Sequence, residues 1–307
     1  MARFEYLEAS TLRQALTLLQ RHGDEARLVA GSTDFLVRWR TGFWSPQYVI
    51  NIQHIPALAR ISYSSRQGLR VGALTTVQEL ADHPQVRANY PALATGAASF
   101  AGVQIRNLAT VGGNICNASP AGDTLPALLV FDTQCRVACP QGERWIPLDQ
   151  FFVGPGRTAL HPGEILAEIQ LPPPVGNTGS IYIKHSPRGA MDIAMVGVAS
   201  LVTVDRRSNV CQEARIALGA VAPTPLRARS AEALLRGQAI TPDLLDAVAA
   251  EAQRIATPID DVRGTASYRR AVVGALTRRT LERSIQMAGP GGLPFEEQRR
   301  LAVQTAF

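Results

Sequence analysis

Two short stretches of the chain combine glycine with hydroxyl, amide and acidic side chains, and these residue types suit the binding of an anion. The first is Ala30–Asp34, and the second runs from Thr110 to Asp123. Glycine leaves backbone N–H groups accessible and small hydroxyl groups add donors, as a phosphate requires. A ligand with two phosphates and a sugar needs donors from different sides, so two such stretches favour a dinucleotide. A long connecting turn without a ligand has a similar composition.

The elements around these stretches decide how they could present donors. Arg27–Ala30 has the pattern of a strand and Phe35–Arg40 that of a helix, so the turn between them directs N–H groups and a helix dipole at an anion. The turn matches neither Gly-x-Gly-x-x-Gly nor a P-loop. The stretch from Thr110 to Asp123 has no helical or strand period and is predicted to be a loop. Asp123 suits a ribose or ribityl hydroxyl, and these residues leave flavin and nicotinamide dinucleotides equally open.

The basic residues single out one position. Lys184 is the one lysine among 31 basic side chains, so a compact ammonium group could be required there, although chance could also leave a single lysine. The five histidines lie in separate segments without metal-ligand spacing, and no Gly-x-Ser-x-Gly motif is present. These observations argue against a hydrolase.

Composition indicates a globular protein of two domains, because 307 residues with 46% hydrophobic content can bury a large core. No apolar run is long enough to span a bilayer, and no signal peptide opens the chain, so we expect a cytoplasmic protein. The net charge of +6 comes from scattered arginines, which argues against nucleic-acid binding. The four cysteines lack metal-site spacing and are interpreted as buried thiols, so no metal site is predicted.

The clearest boundary is Leu171–Gly179, which contains three prolines and two glycines and can continue neither a strand nor a helix. Beyond it, three strand-like runs precede three helical patterns, which predicts an α+β unit with an antiparallel sheet. The strands are expected at Ser180–His185, Ala194–Asp205 and Cys211–Gly219, and the helices at Arg229–Arg236, Pro242–Ile255 and Ser267–Met287. The residues from Ala288 onwards are expected to form an arm.

A family resemblance rests on several short motifs that follow one another in order. Leu28–Phe35 with Thr110–Ile115 resembles the FAD-binding signature of the molybdenum hydroxylases. The likeness is to their separate flavoprotein (medium) subunit, as in carbon monoxide dehydrogenase, and to the flavin domain of xanthine dehydrogenase. It continues through Ala118–Asp123, Gly163–Leu166, Lys184–Arg188 and Asp192–Ala194.

The resemblance implies an α+β fold. A two-subdomain FAD-binding region of the PCMH type would be followed by a C-terminal three-stranded antiparallel sheet with a helical bundle. We expect the FAD-binding domain over residues 1–175, with subdomains of about 1–55 and 56–175. The C-terminal flavoprotein domain would cover 179–287, and 288–307 would be a tail.

The resemblance also assigns cofactor-binding residues and no catalytic residue. The pyrophosphate would be wrapped by backbone N–H groups of Leu28, Val29, Ala30, Gly31, Ser32, Thr33, Asp34, Phe35, Thr110, Gly112, Gly113 and Asn114. Phe100, Ser119 and Asp123 would lie against the cofactor, with Asp123 holding a hydroxyl. Leu166 would pack near the adenine or the ring system, and Lys184 would contact the flavin.

Three departures from the family pattern matter. Ser32 stands where the signature has a second glycine, and a side chain there restricts φ. Ile193 stands where some relatives place an aromatic residue against the isoalloxazine. The chain also lacks the cysteine-rich insertion that carries an extra iron–sulfur cluster in some relatives, so no such cluster is expected.

The function implied is that of an FAD-carrying electron-transfer subunit. It would pass electrons from [2Fe-2S] clusters of a small subunit to an external acceptor, while a large subunit holds the molybdopterin. A dimer of such heterotrimers is expected. The alternatives are a stand-alone NAD(P)H-dependent flavin reductase of the same FAD-binding fold and a cofactor-free scaffold. The substrate of the molybdenum partner and the terminal acceptor stay open.

Overall fold

Three main sheets organise the fold of the computed structural model, which describes residues 3–189, 191–289 and 295–305. The first is a parallel sheet in the order β1-β3-β2, formed by β1 (Glu5–Glu8), β2 (Ala26–Val29) and β3 (Tyr48–Asn51). Parallel neighbours need crossover connections, and helices α1 (Leu12–His22) and α2 (Phe35–Arg40) lie in them. The predicted strand before Gly31 and the predicted helix α2 are thereby confirmed.

The second sheet is antiparallel, in the order β4-β5-β10-β6-β7. Its strands are β4 (Ile61–Ser64), β5 (Gly68–Gly72), β6 (Gln134–Cys139), β7 (Gly142–Pro147) and β10 (Ile165–Leu171). Between β5 and β6 lie α3 (Val77–Asp82), α4 (Pro84–Asn89), α5 (Pro91–Ser99), α6 (Val103–Arg106), α7 (Val111–Asn117) and α8 (Thr124–Leu129). A short helix α9 (Leu148–Phe151) and the hairpin of β8 (Phe152–Gly154) and β9 (Arg157–Thr158) follow β7.

The third sheet has three long antiparallel strands, as predicted: β11 (Thr178–Ser186), β12 (Val196–Asp205) and β13 (Val210–Gly219). Two short strands that the sequence did not indicate extend its edges. β14 (Leu226–Arg227) pairs with β13, and β15 (Val303–Thr305) pairs parallel with β11. Helices α10 (Arg229–Leu235), α11 (Pro242–Ile255) and α12 (Ala266–Met287) form the helical part of this unit.

Helix α5 joins the N-terminal elements to this third sheet. Its residues are small and almost all buried, including Ala92, Leu93, Ala94 and Ala97, which are fully inaccessible. It packs against both α3 and β11. One hydrophobic core therefore runs from the second sheet through α5 to β11 and β12.

The prediction of an irregular loop from Thr110 to Asp123 is wrong in its first half, where helix α7 lies. Thr110 caps this helix, because its hydroxyl accepts from the Gly113 N–H at 3.0 Å, and Ala118 ends it with φ +46°. Gly112 and Gly113 lower the intrinsic helix propensity and hide the helical pattern. Contacts with the rest of the fold compensate, since the Gly112 N–H donates to the Ala73 carbonyl at 2.8 Å.

The described part of the predicted tail packs on the chain itself. Helix α13 (Phe295–Ala302) lies against α5 and β11, and the Arg87 guanidinium stands 4.6 Å from the centroid of the Phe295 ring. Positions 290–294 and 306–307 of the tail lie outside the described residues. The proposed domain boundary falls between β10 and β11, where Pro172, Pro173 and Pro174 stand. Among the described helices, none has both the length and the apolar character needed to cross a membrane.

Candidate cofactor site

The two glycine-rich stretches meet at a cavity of about 190 Å³. Most of the residues predicted to hold the cofactor line it: Leu28, Val29, Ala30, Gly31, Ser32, Thr33, Asp34, Phe35, Phe100, Thr110, Gly113 and Asn114. The volume is below the roughly 300–1,000 Å³ of a pocket for a whole drug-sized ligand. It therefore suits one part of a dinucleotide, such as its pyrophosphate.

The turn from Gly31 to Asp34 supplies free backbone donors. Among the described residues, none of the four N–H groups of this turn donates to a protein acceptor. The Leu108 carbonyl oxygen lies 1.7 Å from where a Cβ at Gly31 would stand, so only glycine fits there. Ser32 has φ +57°, the left-handed conformation that glycine adopts most easily. The turn can thus present several N–H groups to one anion.

Helix α7 forms the opposite wall but does not add backbone donors. The N–H groups of its first three residues all bond within the protein: Val111 to the Thr75 carbonyl at 2.9 Å, Gly112 to the Ala73 carbonyl at 2.8 Å and Gly113 to the Thr110 hydroxyl at 3.0 Å. These three N–H groups already have acceptors in the protein, so the predicted contact of this stretch with a pyrophosphate would have to use other atoms. What α7 and its cap present to the cavity is the surface of Thr110, Gly113, Asn114, Cys116 and Asn117.

Gly112 has a packing role that the sequence did not reveal. A Cβ at this position would stand 2.5 Å from the Cβ of Ala73 and 2.7 Å from its carbonyl oxygen. Such contacts are too short for any side chain, so the glycine allows α7 to lie against the segment after β5. Gly112 therefore supports the cavity from behind rather than lining it.

Arg38, Trp44 and Asn117 also line the cavity, and sequence reasoning missed them. The Arg38 Nη2 donates to Asn117 Oδ1 at 2.6 Å, and the Asn117 Nδ2 donates to Asp34 Oδ1 at 3.1 Å. The guanidinium stacks 4.5 Å from the centroid of the Trp44 ring. Arg38 could have been anticipated, because it follows Asp34 by four residues on a predicted helix. Asn117 could not, because its orientation depends on the unrecognised helix α7.

Phe100, at the end of α5, reaches the cavity from a turn held by a buried arginine. The Arg106 Nη1 donates to the carbonyls of Phe100 and Ala101, each at 2.9 Å, and to that of Ala98 at 3.2 Å. Its Nε donates to Gln78 at 2.8 Å. Arg106 is 6% exposed, and burial is the main cause that lowers the pKa of its guanidinium.

Asp123 and Lys184, both predicted cofactor contacts, bind each other instead of lining the cavity. The Lys184 Nζ lies 2.9 Å from Asp123 Oδ2 and donates to the Ser99 carbonyl at 3.1 Å, while the Tyr182 hydroxyl donates to Asp123 Oδ1 at 2.7 Å. Lys184 is completely buried. Burial raises the pKa of the Asp123 carboxyl, against the opposing effects of Lys184 and Tyr182. Burial, and then the Asp123 charge, raises the pKa of Tyr182 well above its ordinary value.

Two further predicted residues lie away from the cavity. Leu166, on β10, is 3% exposed and packs in the hydrophobic core. Ser119 lines a separate cavity of about 420 Å³, together with Ile193. Within the described part of the chain, no three His, Cys, Asp or Glu residues are close enough to hold a metal ion.

Comparison with protein families identifies the two halves of the chain. Residues 2–174 match the FAD binding domain in molybdopterin dehydrogenase, and residues 181–284 match the CO dehydrogenase flavoprotein C-terminal domain. The chain is an FAD-binding subunit of the molybdenum hydroxylase family. Its free turn donors and the absence of a side chain at Gly31 fit a phosphate-bearing cofactor, so the described residues agree with that assignment.

Individual relatives of this FAD-binding subunit agree over nearly their full length. The putative xanthine dehydrogenase FAD-binding subunit of Escherichia coli is 32% identical over 92% of this chain and 97% of its own. The carbon monoxide dehydrogenase medium chain of Hydrogenophaga pseudoflava is 34% identical over 91% and 96%. The solved carbon monoxide dehydrogenase from the same organism superposes with a TM-score of 0.88, covering 92% of this chain and 97% of the other. Quinoline 2-oxidoreductase from Pseudomonas putida superposes with a TM-score of 0.86 at 26% identity, covering 93% and 98%.

Proposed function

We propose that this subunit binds FAD and relays electrons from [2Fe-2S] clusters of a partner subunit to an external acceptor. The observation that carries the proposal is the turn from Gly31 to Asp34, whose N–H groups have no acceptor among the described residues and which lines one cavity together with helix α7. Bound flavin supplies chemistry that couples one-electron and two-electron steps. The chain itself supplies binding, orientation and electrostatics.

Different residues around the cavity have different roles in binding and positioning the cofactor. Gly31–Asp34 donate hydrogen bonds to the phosphates, while Thr110, Gly113 and Asn114 form the opposing wall. Phe100 lines the cavity. Lys184 supports Phe100 indirectly, because its ammonium group donates to the carbonyl of Ser99, the residue directly before Phe100.

The remaining assignments come from the family resemblance. Asp123 stays the predicted partner of a cofactor hydroxyl, Leu166 a predicted contact of the adenine or the ring system, and Ser119 a predicted cofactor contact. The relatives named above are described as subunits or medium chains of dehydrogenases. We therefore propose a cytoplasmic complex with a large molybdopterin-binding subunit and a small [2Fe-2S] subunit, assembled as a dimer of heterotrimers.

Anaerobic rapid mixing tests this proposal against a stand-alone reductase. The FAD-loaded chain is mixed with a chemically reduced [2Fe-2S] partner subunit, and separately with NADPH alone, while the visible flavin absorbance is followed. We expect fast bleaching with the reduced partner. A flavin that stays oxidised with the partner, but turns over with NADPH and one organic substrate, would contradict the electron-relay role.

A further inference from the structure

Arg38 supplies a full positive charge at the cavity wall. Among the described residues that line the cavity, the charged ones are Asp34 and Arg38. No ion pair joins Arg38 to an acidic side chain in the described part of the chain. Most other arginines whose side-chain contacts are described form ion pairs with carboxylates. A cation left without a carboxylate beside free N–H groups is suited to an anionic ligand.

The guanidinium of Arg38 is already held in place. Trp44 stacks on one face at 4.5 Å, and Asn117 accepts a hydrogen bond from Nη2 at 2.6 Å. A guanidinium has five N–H donors, so these contacts leave donors for a ligand. Because the side chain is fixed in advance, little conformational freedom is lost when the ligand binds.

Asn117 joins this cation to the phosphate-binding turn. Its amide oxygen accepts from Arg38, and its amide nitrogen donates to Asp34 Oδ1 at 3.1 Å. One side chain of α7 therefore orients both Asp34, directly before α2, and Arg38 within α2. The turn donors and the guanidinium are therefore fixed relative to each other. Two phosphate groups can be held by such a set, one by the N–H groups and one by the guanidinium.

We propose that Arg38 is the charge partner of the cofactor pyrophosphate, positioned by Trp44 and Asn117. This inference rests on the proposed FAD-binding function and assigns a residue that the family signature does not include. It makes affinity depend on the phosphates: ligands with a pyrophosphate require Arg38, and riboflavin, which has none, does not.

The test is a fluorescence titration of the cofactor-free full chain with FAD, ADP and riboflavin. We expect Arg38→Gln to weaken FAD and ADP by about ten- to a hundredfold, the loss of a charge-assisted hydrogen bond, and to leave riboflavin unchanged. Arg38→Lys should give a smaller loss of affinity, because the ammonium group keeps the positive charge but lacks the planar set of donors of the guanidinium. The dissociation constant of the wild type should also rise more steeply with salt than that of Arg38→Gln.

Arg40→Gln is the matched control, because Arg40 is an exposed arginine of the same helix and its loss changes the net charge equally. It should bind FAD within about twofold of the wild type, which corresponds to less than 0.5 kcal/mol for a surface charge. Thermal unfolding of each cofactor-free variant shows that it is folded. Unchanged FAD affinity in Arg38→Gln, or an equal loss for riboflavin, would overturn the inference. A wild-type chain that binds no FAD would instead contradict the proposed function itself.

Discussion

Ser32 is held in the left-handed backbone conformation at the centre of the cofactor turn, with φ +57°. A Cβ costs about 1–2 kcal/mol there, and glycine avoids that cost. We therefore expect Ser32→Gly to be about 1 kcal/mol more stable than Ser32→Ala, since both variants lose the same hydroxyl group. Urea unfolding of the two variants measures the difference.

Ser65 provides the control for Ser32, because it is exposed and is not among the described residues with positive φ. At Ser65 the order should reverse, with alanine more stable than glycine. If the alanine variant is more stable than the glycine variant at both positions, the backbone strain at Ser32 is not significant.

At the scale of single residues, the sequence showed which residues have a distinctive chemistry better than it showed which residues contact each other. Ala30–Asp34 was recognised because glycine and hydroxyl residues between a strand and a helix can direct N–H groups at an anion. Lys184 was singled out by composition, but its partner Asp123 lies far away in sequence, and only the folded chain brings them to 2.9 Å. Arg38 was missed, although its position four residues after Asp34 was a signal that could have shown it.

The turn between α5 and α6 depends on Arg106, which donates to two carbonyls of that turn and to one at the end of α5. We expect Arg106→Met to weaken FAD binding about tenfold or more, because Phe100 would lose its position while the apolar volume is kept. FAD titration of the folded variant measures this effect. Arg87→Met, on α4 and outside the cavity, is the control and should leave FAD affinity unchanged. Equal affinities for all three proteins would contradict a positioning role of Arg106.

The buried pair of Lys184 on β11 and Asp123 before α8 links the third sheet to the N-terminal elements. Lys184→Met or Asp123→Asn alone should cost about 3–5 kcal/mol of unfolding free energy, because each leaves a buried group without its partner. The double variant Lys184→Met with Asp123→Asn should cost much less than the sum of the two single variants. Urea unfolding of the three variants gives the coupling energy.

Glu251 and Arg254 form the comparison pair for this cycle, because the Arg254 side chain is largely exposed on α11. Their coupling should be below about 0.5 kcal/mol. A Lys184–Asp123 coupling as small as that of the surface pair would refute the linking role.

At the scale of elements, predictions succeeded where one pattern covered the whole element. The helix Pro242–Ile255 has the bounds that the sequence indicated. Helix α7 was missed because glycines occupy its second and third positions, and the Ala73 carbonyl that holds Gly112 belongs to a distant segment. The Thr110 cap was the signal that could have shown it.

The stability of the whole chain should fall in acid through Asp261. Hydrogen bonds from Arg263 and then Arg269 hold the pKa of this carboxyl well below its usual range. The unfolded chain therefore binds this proton first as pH falls, and stability decreases from the ordinary pKa of about 3.9 down to the folded pKa. We expect Asp261→Asn to cost about 2–3 kcal/mol near neutral pH.

That cost should shrink below about pH 4, where the wild type loses the same interaction. Urea unfolding of both proteins across this pH range measures it. Asp243→Asn, on an exposed residue of α11, is the control and should change little at any pH. A cost for Asp261→Asn that stays constant with pH would contradict this account.

At the scale of the whole molecule, the α+β class and the three long C-terminal strands were predictable, because their alternation is local. The edge strands β14 and β15 were not, since two or three residues carry no period and pair only because a neighbouring strand has a free edge. The packing of Phe295 beside Arg87 joins segments that lie far apart in sequence.

The central claim is that the turn from Gly31 to Asp34 holds FAD, and cofactor stoichiometry tests it most directly. The purified chain is incubated with FAD, freed of excess and measured by absorbance. We predict about one FAD per chain for the wild type and for Gly176→Ala, whose Cβ meets open space. Gly31→Ala should lose the cofactor, because its Cβ would collide with the Leu108 carbonyl. A wild-type chain that remains colourless, or a Gly31→Ala variant that is folded and fully loaded, would contradict the account.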